Sequence, residues 1–184
     1  MLRWFAVLVL AIAVSGCAKN VVVKTETELY RVEGTTHEEV RVSLYRKRPL
    51  TRDDAMAVWK FRAKFGHAQD STGCRASDAK VTAFLTLVRP KWTSPKGAST
   101  QLRADWKRYT DELVKLHKKR RAIIGRFARK LYAQTRRLLQ PDCDALDRKA
   151  GRLEQLLYTQ HNAEQEALLG MEKKTLFLPP RRGR

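Results

Sequence analysis

The feature that most constrains the fold is a long stripe of apolar residues in the C-terminal half of the chain. The stripe recurs at spacings of three, four and seven residues, which is the period of an amphipathic α-helix. Ser99 or Thr100 is suited to cap the start of this helix. Pro141-Asp142 interrupts the pattern, and Asp142 is suited to cap a second helix. The sequence therefore predicts a hairpin of two long helices, with apolar positions at Leu102, Trp106, Tyr109, Leu113, Leu116, Ile123, Ile124, Phe127, Leu131 and Leu138, then Leu146, Leu153, Leu156, Leu157 and Leu168.

The N-terminal half has the alternating pattern of β-strands. Val21–Val32 predicts a first strand, and Thr36 is suited to cap a short helix that ends near Arg46. Ala55–Phe65 and Ala79–Val88 predict a strand pair joined by the polar segment HAQDSTGCRASD. The predicted class is α+β, with a small N-terminal antiparallel β-sheet and a short helix followed by a long-helix α-hairpin.

The first 17 residues, MLRWFAVLVLAIAVSGC, indicate export from the cytoplasm. One cation precedes an apolar run that is too short to span a bilayer, which is typical of a signal peptide. The end of this segment resembles the lipobox of bacterial lipoproteins, which implies a signal at residues 1–16 and a lipidated segment at 17–29. By that resemblance Cys17 carries acyl chains such as palmitate and is the first mature residue. The alternatives are an ordinary signal with a chance cysteine, or a short membrane anchor. Residue 18 is alanine, whereas an aspartate at this position commonly retains bacterial lipoproteins at the inner membrane. We therefore expect the protein to be anchored at the periplasmic face of the outer membrane.

The cysteine count agrees with export. Lipidation of Cys17 leaves Cys74 and Cys143, and an even pair in an oxidising compartment predicts a disulfide bond. The alternative is two unpaired buried thiols. No C-x-x-C spacing indicates zinc binding or redox chemistry.

The chain is strongly basic, with 38 Lys and Arg against 19 Asp and Glu. Export argues against nucleic acid as the partner, and aromatic residues suited to base stacking are not interleaved with the cations. Anionic lipid, lipopolysaccharide or an envelope protein is the expected partner, and a genome-wide bias toward arginine is the alternative explanation. The densest cations lie within LHKKRRAII, residues 116–124, in the middle of the first long helix. The predicted binding residues for an anionic partner are Lys115, Lys118, Lys119, Arg120 and Arg121.

The order of several short motifs resembles a bacterial family of predicted secreted Zn-dependent proteases, long catalogued as a domain of unknown function. Each motif alone is weak, and the order carries the resemblance. It covers roughly residues 30–178, which implies a single zincin-like α+β domain there and a basic tail at 179–184. The matching elements are Tyr30 to Gly34, Gly73-Cys74, Pro90-Lys91-Trp92, Trp106, the segment at His117 and Cys143.

The resemblance implies a His-Glu-x-x-His helix that binds zinc, and the sequence departs from it. His117 stands at the first histidine position, whereas Lys118 stands at the glutamate and Arg121 at the second histidine. Lysine and arginine remain protonated and do not ligate zinc. A further family histidine is expected near Leu168, which cannot ligate either. His37, His67 and His161 show no ligand spacing, although His161 could approach His117 across the helical hairpin. We therefore expect no catalytic residue and no metal or other cofactor, and His117 as a partly exposed polar side chain.

The resulting functional prediction is a cell-envelope lipoprotein that resembles a protease but is not an enzyme. It would act as a binding or structural module toward anionic partners, held at the membrane by its lipid. An alternative is an active periplasmic metal-dependent peptidase with non-standard ligands, for which His161 is the first residue to test. A nucleic-acid binder is the third and least supported class.

Overall fold

The computed structural model describes residues 20–47 and 57–175, with side chains described up to residue 168. The predicted signal peptide, Cys17 and the basic tail at 179–184 lie outside the described residues, as does the predicted start of the second strand at residue 55. In chain order the elements are β1 (Val21–Val32), α1 (His37–Lys47), β2 (Ala57–Asp70), β3 (Gly73–Trp92), α2 (Thr100–Thr135), β4 (Leu139–Gln140) and α3 (Cys143–Thr175).

The predicted α+β class is confirmed, and the sheet is mixed rather than wholly antiparallel. The strand order is β1-β3-β2, with β4 paired to the start of β3. β2 pairs antiparallel with β3, whereas β1 pairs parallel with it, from Val21 beside Val81 to Val32 beside Trp92. The parallel pairing is possible because α1 and β2 separate β1 from β3, so that the two strands are not joined by a tight hairpin.

The connection between β2 and β3 differs from the prediction. The polar segment at residues 67–78 was expected to be a loop, but both strands continue through most of it and turn at Ser71 and Thr72. Gly73 follows the turn with φ +129°, and a Cβ atom there would lie 2.3 Å from the carbonyl oxygen of Gln140. Polar side chains can continue a strand here because this end of the hairpin is largely exposed, while β4 and the disulfide hold it to the domain.

The caps predicted for the three helices are present. Thr36 accepts a hydrogen bond from the backbone N–H of Glu39, and Ser99 accepts one from the N–H of Leu102 at 3.1 Å. Asp142 accepts one from the N–H of Ala145 at 2.7 Å. Each cap satisfies a backbone donor that the first turn of a helix leaves unpaired, so these side chains fix where the helices begin.

The hydrophobic core lies between one face of the sheet and the apolar stripe of α2. Val81, Ala83 and Leu85 alternate along β3 toward this core, and Leu113 and Ile124 of α2 pack in the same cluster. A Cβ atom on Gly125 would lie 4.0 Å from Val23, so α2 crosses close to β1. Because successive strand residues face opposite sides, the even-numbered residues of β3 from Lys80 to Thr86 form the face directed away from α2. Within the described ranges, no helix is both long and apolar enough to cross a membrane.

The predicted disulfide between Cys74 and Cys143 is confirmed, with the two Cα atoms 5.1 Å apart. Cys74 is the second residue of β3, and Cys143 is the first residue of α3. The bond therefore joins the exposed end of the β2–β3 hairpin to the start of the last helix.

Candidate functional site

The segment HKKRR is divided between the buried and exposed sides of α2. His117 is 5% exposed and Arg120 is 0% exposed, whereas Lys118, Lys119 and Arg121 are exposed. Two expectations are corrected as a result. His117 is buried rather than partly exposed, and Arg120 is not part of the surface offered to an anionic partner. The reason is helical geometry, since residues three apart lie near the same face.

Arg120 is close to two buried polar residues of α3. Its Nη1 atom lies 3.5 Å from Oε1 of Gln165, and Nε2 of Gln165 lies 3.2 Å from Nε2 of His161. Gln165 and His161 are both 0% exposed. We call Arg120, His161 and Gln165 the buried polar cluster. It lies where α2 and α3 pack together, and it places the buried arginine of the HKKRR segment against α3.

Aromatic side chains surround His161 in this cluster. The imidazole makes edge contacts with Trp59, Phe61 and Phe127, with ring centroids 5.3, 4.9 and 5.2 Å away. Arg120 lies over the Trp59 ring at 6.0 Å from its centroid. Burial in this setting lowers the pKa of His161 to about 4, because desolvation disfavours the charged form. His161 is therefore neutral at neutral pH, and its Nε2 atom can accept a hydrogen bond from the amide of Gln165.

The sequence-based interpretation considered His161 only as a possible metal ligand near His117 and did not consider Gln165, although the spacing of the two residues carried a signal. Leu153, Leu157, His161 and Gln165 follow one another at intervals of four residues, so they lie along one side of α3. Leu168, where the family histidine was expected, is buried at 8% exposure and contributes only packing. If every residue at the four-residue spacing of this stripe is expected to be buried, whether apolar or polar, His161 and Gln165 are predicted to lie in the core.

The other two histidines serve to join elements and are not part of this cluster. His37 of α1 lies 3.0 Å from a carboxylate oxygen of Asp105 in α2, and His67 of β2 lies 2.9 Å from Asp147 in α3. Burial raises the pKa of Asp105, but hydrogen bonds from His37 and Gln101 outweigh it and the pKa falls below its ordinary value. The carboxylate is therefore held ionised between the first two helices.

The residues of the buried polar cluster do not fit a zinc site. A catalytic zinc takes about three neutral or anionic protein ligands and leaves one position open for water. Of the three members, only His161 belongs to the residue types that bind zinc in proteins, while Arg120 brings a fixed positive charge that would repel a dication. Across residues 20–47 and 57–175, no group of three or more His, Cys, Asp or Glu residues is placed to hold a metal ion.

The exposed side of the same segment forms what we call the α2 cationic face: Lys115, Lys118, Lys119 and Arg121. Lys115 pairs with Glu112 at 2.6 Å. The other three residues have no ion pair within the described part of the chain. Like charges three or four residues apart on a helix repel one another. The surface is thus a concentration of positive charge that the described residues leave largely uncompensated.

These features define a small α+β domain in which two long helices cover one face of a mixed sheet and enclose a buried polar cluster. The family described as "Bacterial protein of unknown function (DUF922)" matches residues 27–169. The chain belongs to this family. No curated protein and no solved structure matches it. The family description assigns no activity, so the zinc-dependent proteolysis implied by the sequence resemblance has no support from the match.

Proposed function

We propose that this protein is a cell-envelope lipoprotein whose DUF922 domain is a non-catalytic module that binds an anionic partner. The lipobox-like sequence ending at Cys17 supports anchoring by lipid, at the periplasmic face of the outer membrane. Acyl chains on one cysteine contribute roughly 0.8 kcal/mol per buried methylene, so two or three chains hold a protein on a bilayer. The folded domain would then operate close to the membrane surface.

The observation that carries the non-catalytic assignment is the burial of Arg120 beside His161 and Gln165. A metallopeptidase of the expected kind needs a carboxylate base and several ligands around a metal-bound water. In this chain the inward-facing positions of the HKKRR segment hold a histidine and an arginine, and the outward ones hold only cations. The interior is organised by amide, guanidinium and aromatic contacts, which suit packing of α2 against α3.

Binding is assigned to the α2 cationic face, because its charges are exposed and largely uncompensated. A partner bearing carboxylates or phosphates would remove the repulsion among Lys118, Lys119 and Arg121 on binding. The alternative, an active peptidase with non-standard ligands, rests on the neutral buried imidazole of His161. It would need two further ligands.

Elemental analysis of the purified protein tests the non-catalytic assignment. We expect less than about 0.1 zinc per chain after incubation with zinc and desalting, since about three ligands are required for tight binding. We also expect no peptide cleavage that a chelator abolishes. The variant His161→Ala tests whether the buried polar cluster contributes to zinc binding, and His67→Ala is the matched control at an exposed histidine. Stoichiometric zinc that is lost in His161→Ala and retained in His67→Ala would establish the peptidase alternative instead.

A further inference from the structure

The sheet face directed away from α2 carries a second concentration of positive charge. Five exposed cations lie on the three strands of this face, around a half-buried phenylalanine. In register, Lys24 of β1 and Lys60 of β2 both flank Phe84 of β3. We call this surface the outer sheet face, and its cations are Lys24, Lys60, Arg62, Lys64 and Lys80.

Close contacts within the outer sheet face place cations and apolar groups together. The Nζ atoms of Lys24 and Lys60 lie 5.7 and 5.3 Å from the centroid of the Phe84 ring. Val22 is 43% exposed and Val58 is 50% exposed on the same side of the sheet. An apolar centre flanked by cations is the composition of a surface that meets both acyl chains and phosphate groups at a bilayer interface.

The charges of the outer sheet face are uncompensated within the described residues, since none of the five cations forms an ion pair there. Lys64 lies directly opposite Lys80 in the β2–β3 pairing, and like charges at opposed positions destabilise a sheet. Acidic residues are present on the same side of the sheet: Glu26 lies beside Thr86, Glu28 lies two residues farther along β1, and Asp78 lies at the irregularity in β3. An anionic surface would relieve this repulsion.

The position of the charges relative to the predicted anchor favours a membrane over other polyanions. Cys17 precedes Val21, the first residue of β1, by four positions, and four residues of fully extended chain span at most about 14 Å. Lys24, Arg62, Lys64 and Lys80 lie at this same end of the sheet. Acyl chains on Cys17 would therefore hold the basic end of the outer sheet face close to the bilayer.

We propose that the outer sheet face lies against anionic phospholipid of the membrane that carries the anchor, with Phe84 and its flanking cations at the interface. This inference rests on the proposed lipid anchor for its orientation. It gives the two cationic surfaces separate partners. The sheet meets the membrane, and the α2 cationic face on the other side of the domain remains directed toward a partner away from it.

Vesicle co-sedimentation tests this with the mature chain carrying Cys17→Ser, so that binding reports the protein surface alone. The probes are vesicles of phosphatidylcholine with and without phosphatidylglycerol. The variant Lys60→Glu/Arg62→Glu/Lys64→Glu changes the outer sheet face. The control Arg148→Glu/Lys149→Glu/Arg152→Glu makes the same charge change at exposed positions of α3. Circular dichroism and retention of the disulfide verify folding of each variant, and Phe84→Ala is a second, milder test that keeps the net charge.

We expect salt-sensitive binding to the anionic vesicles, weakened at least about tenfold by the sheet variant and less than about threefold by the control. Phe84→Ala should weaken binding without changing its salt dependence. Equal losses in the sheet variant and the control would overturn the proposal, as would no binding of the parent chain or preferential binding of duplex DNA. Acyl labelling of the Cys17 form is scored separately. If acyl labelling fails but the vesicles still bind the protein, only the proposed lipid anchor is wrong. If Cys17 is acylated but the sheet variant binds vesicles as the parent does, only the present inference is wrong.

Discussion

At the scale of single residues, the informative positions are the polar side chains on otherwise apolar stripes. Arg120 and His161 occupy positions where their helices bury leucine, isoleucine or phenylalanine. Burying an arginine is costly unless its polar groups find partners, and here Gln165 and the Trp59 ring contribute contacts. These contacts join α2 to α3 and to β2 within the core.

The pKa of His161, lowered to about 4, leads to a pH-dependent stability. Between about pH 6.5 and 4 the unfolded chain binds a proton that the folded chain does not, so the stability due to neutral His161 falls as the pH falls. We expect wild type to lose on the order of 2 kcal/mol relative to His161→Gln between pH 7 and 4.5. Urea unfolding of both proteins at each pH measures the difference. His67→Gln, at an exposed site, is the matched control, and a parallel pH dependence of wild type and His161→Gln would contradict the prediction.

At the scale of secondary-structure elements, α2 combines a core-forming side with a charged side. The substitution Lys118→Glu/Lys119→Glu/Arg121→Glu reverses only exposed charges, so the core contacts of the helix are retained. We expect binding to polyglutamate, a soluble polymer of carboxylates, to weaken at least about fivefold at low salt, with the difference shrinking as salt screens the charges. Titration followed by fluorescence anisotropy measures this. The α3 variant Arg148→Glu/Lys149→Glu/Arg152→Glu serves again as control. Equal weakening of binding by both variants would mean that the net charge of the protein, and not the α2 cationic face, determines binding.

The disulfide is the second feature at this scale, because it ties β3 to α3 across 69 positions of sequence. Closing a loop of that size in the unfolded chain stabilises the folded state by roughly 4 kcal/mol in the chain-entropy model. We expect Cys74→Ala/Cys143→Ala to lower the free energy of unfolding by about 2–4 kcal/mol in denaturant titrations. Wild type measured with a reductant should show the same loss. An unchanged free energy of unfolding in both experiments would mean that the disulfide contributes little to stability.

At the scale of the whole molecule, the proposed arrangement is a domain held at a membrane by its first mature residue. Replacing Cys17 with Ser should abolish acylation and move the protein from the membrane fraction to the soluble periplasmic fraction, because the acyl chains supply most of the attachment. Metabolic labelling with a fatty-acid analogue and cell fractionation measure this. Ser15→Ala, two residues upstream, is a control that keeps the cysteine. Membrane retention of unlabelled Cys17→Ser at high salt would mean that another segment provides the anchor.

The local structure of this protein was largely predictable from its sequence. β1 was placed at Val21–Val32, and the caps at Thr36, Ser99 and Asp142 were identified, because strand alternation and helix capping depend on neighbouring residues. The disulfide followed from the number of cysteines and the expected compartment. The basic composition indicated anionic partners, a prediction that stays open to the experiments above.

Tertiary structure decided which distant residues meet. The parallel pairing of β1 with β3 depends on how α1 and β2 return the chain, and no local pattern specifies it. The sequence placed Arg120 with the surface cations, and packing against α3 buried it beside His161 and Gln165. The outer sheet face likewise exists only after three strands separated in sequence align Lys24, Phe84 and Lys60. Local patterns follow from backbone geometry and capping, whereas the position of a charge inside or outside the domain is set by contacts between elements far apart in the chain.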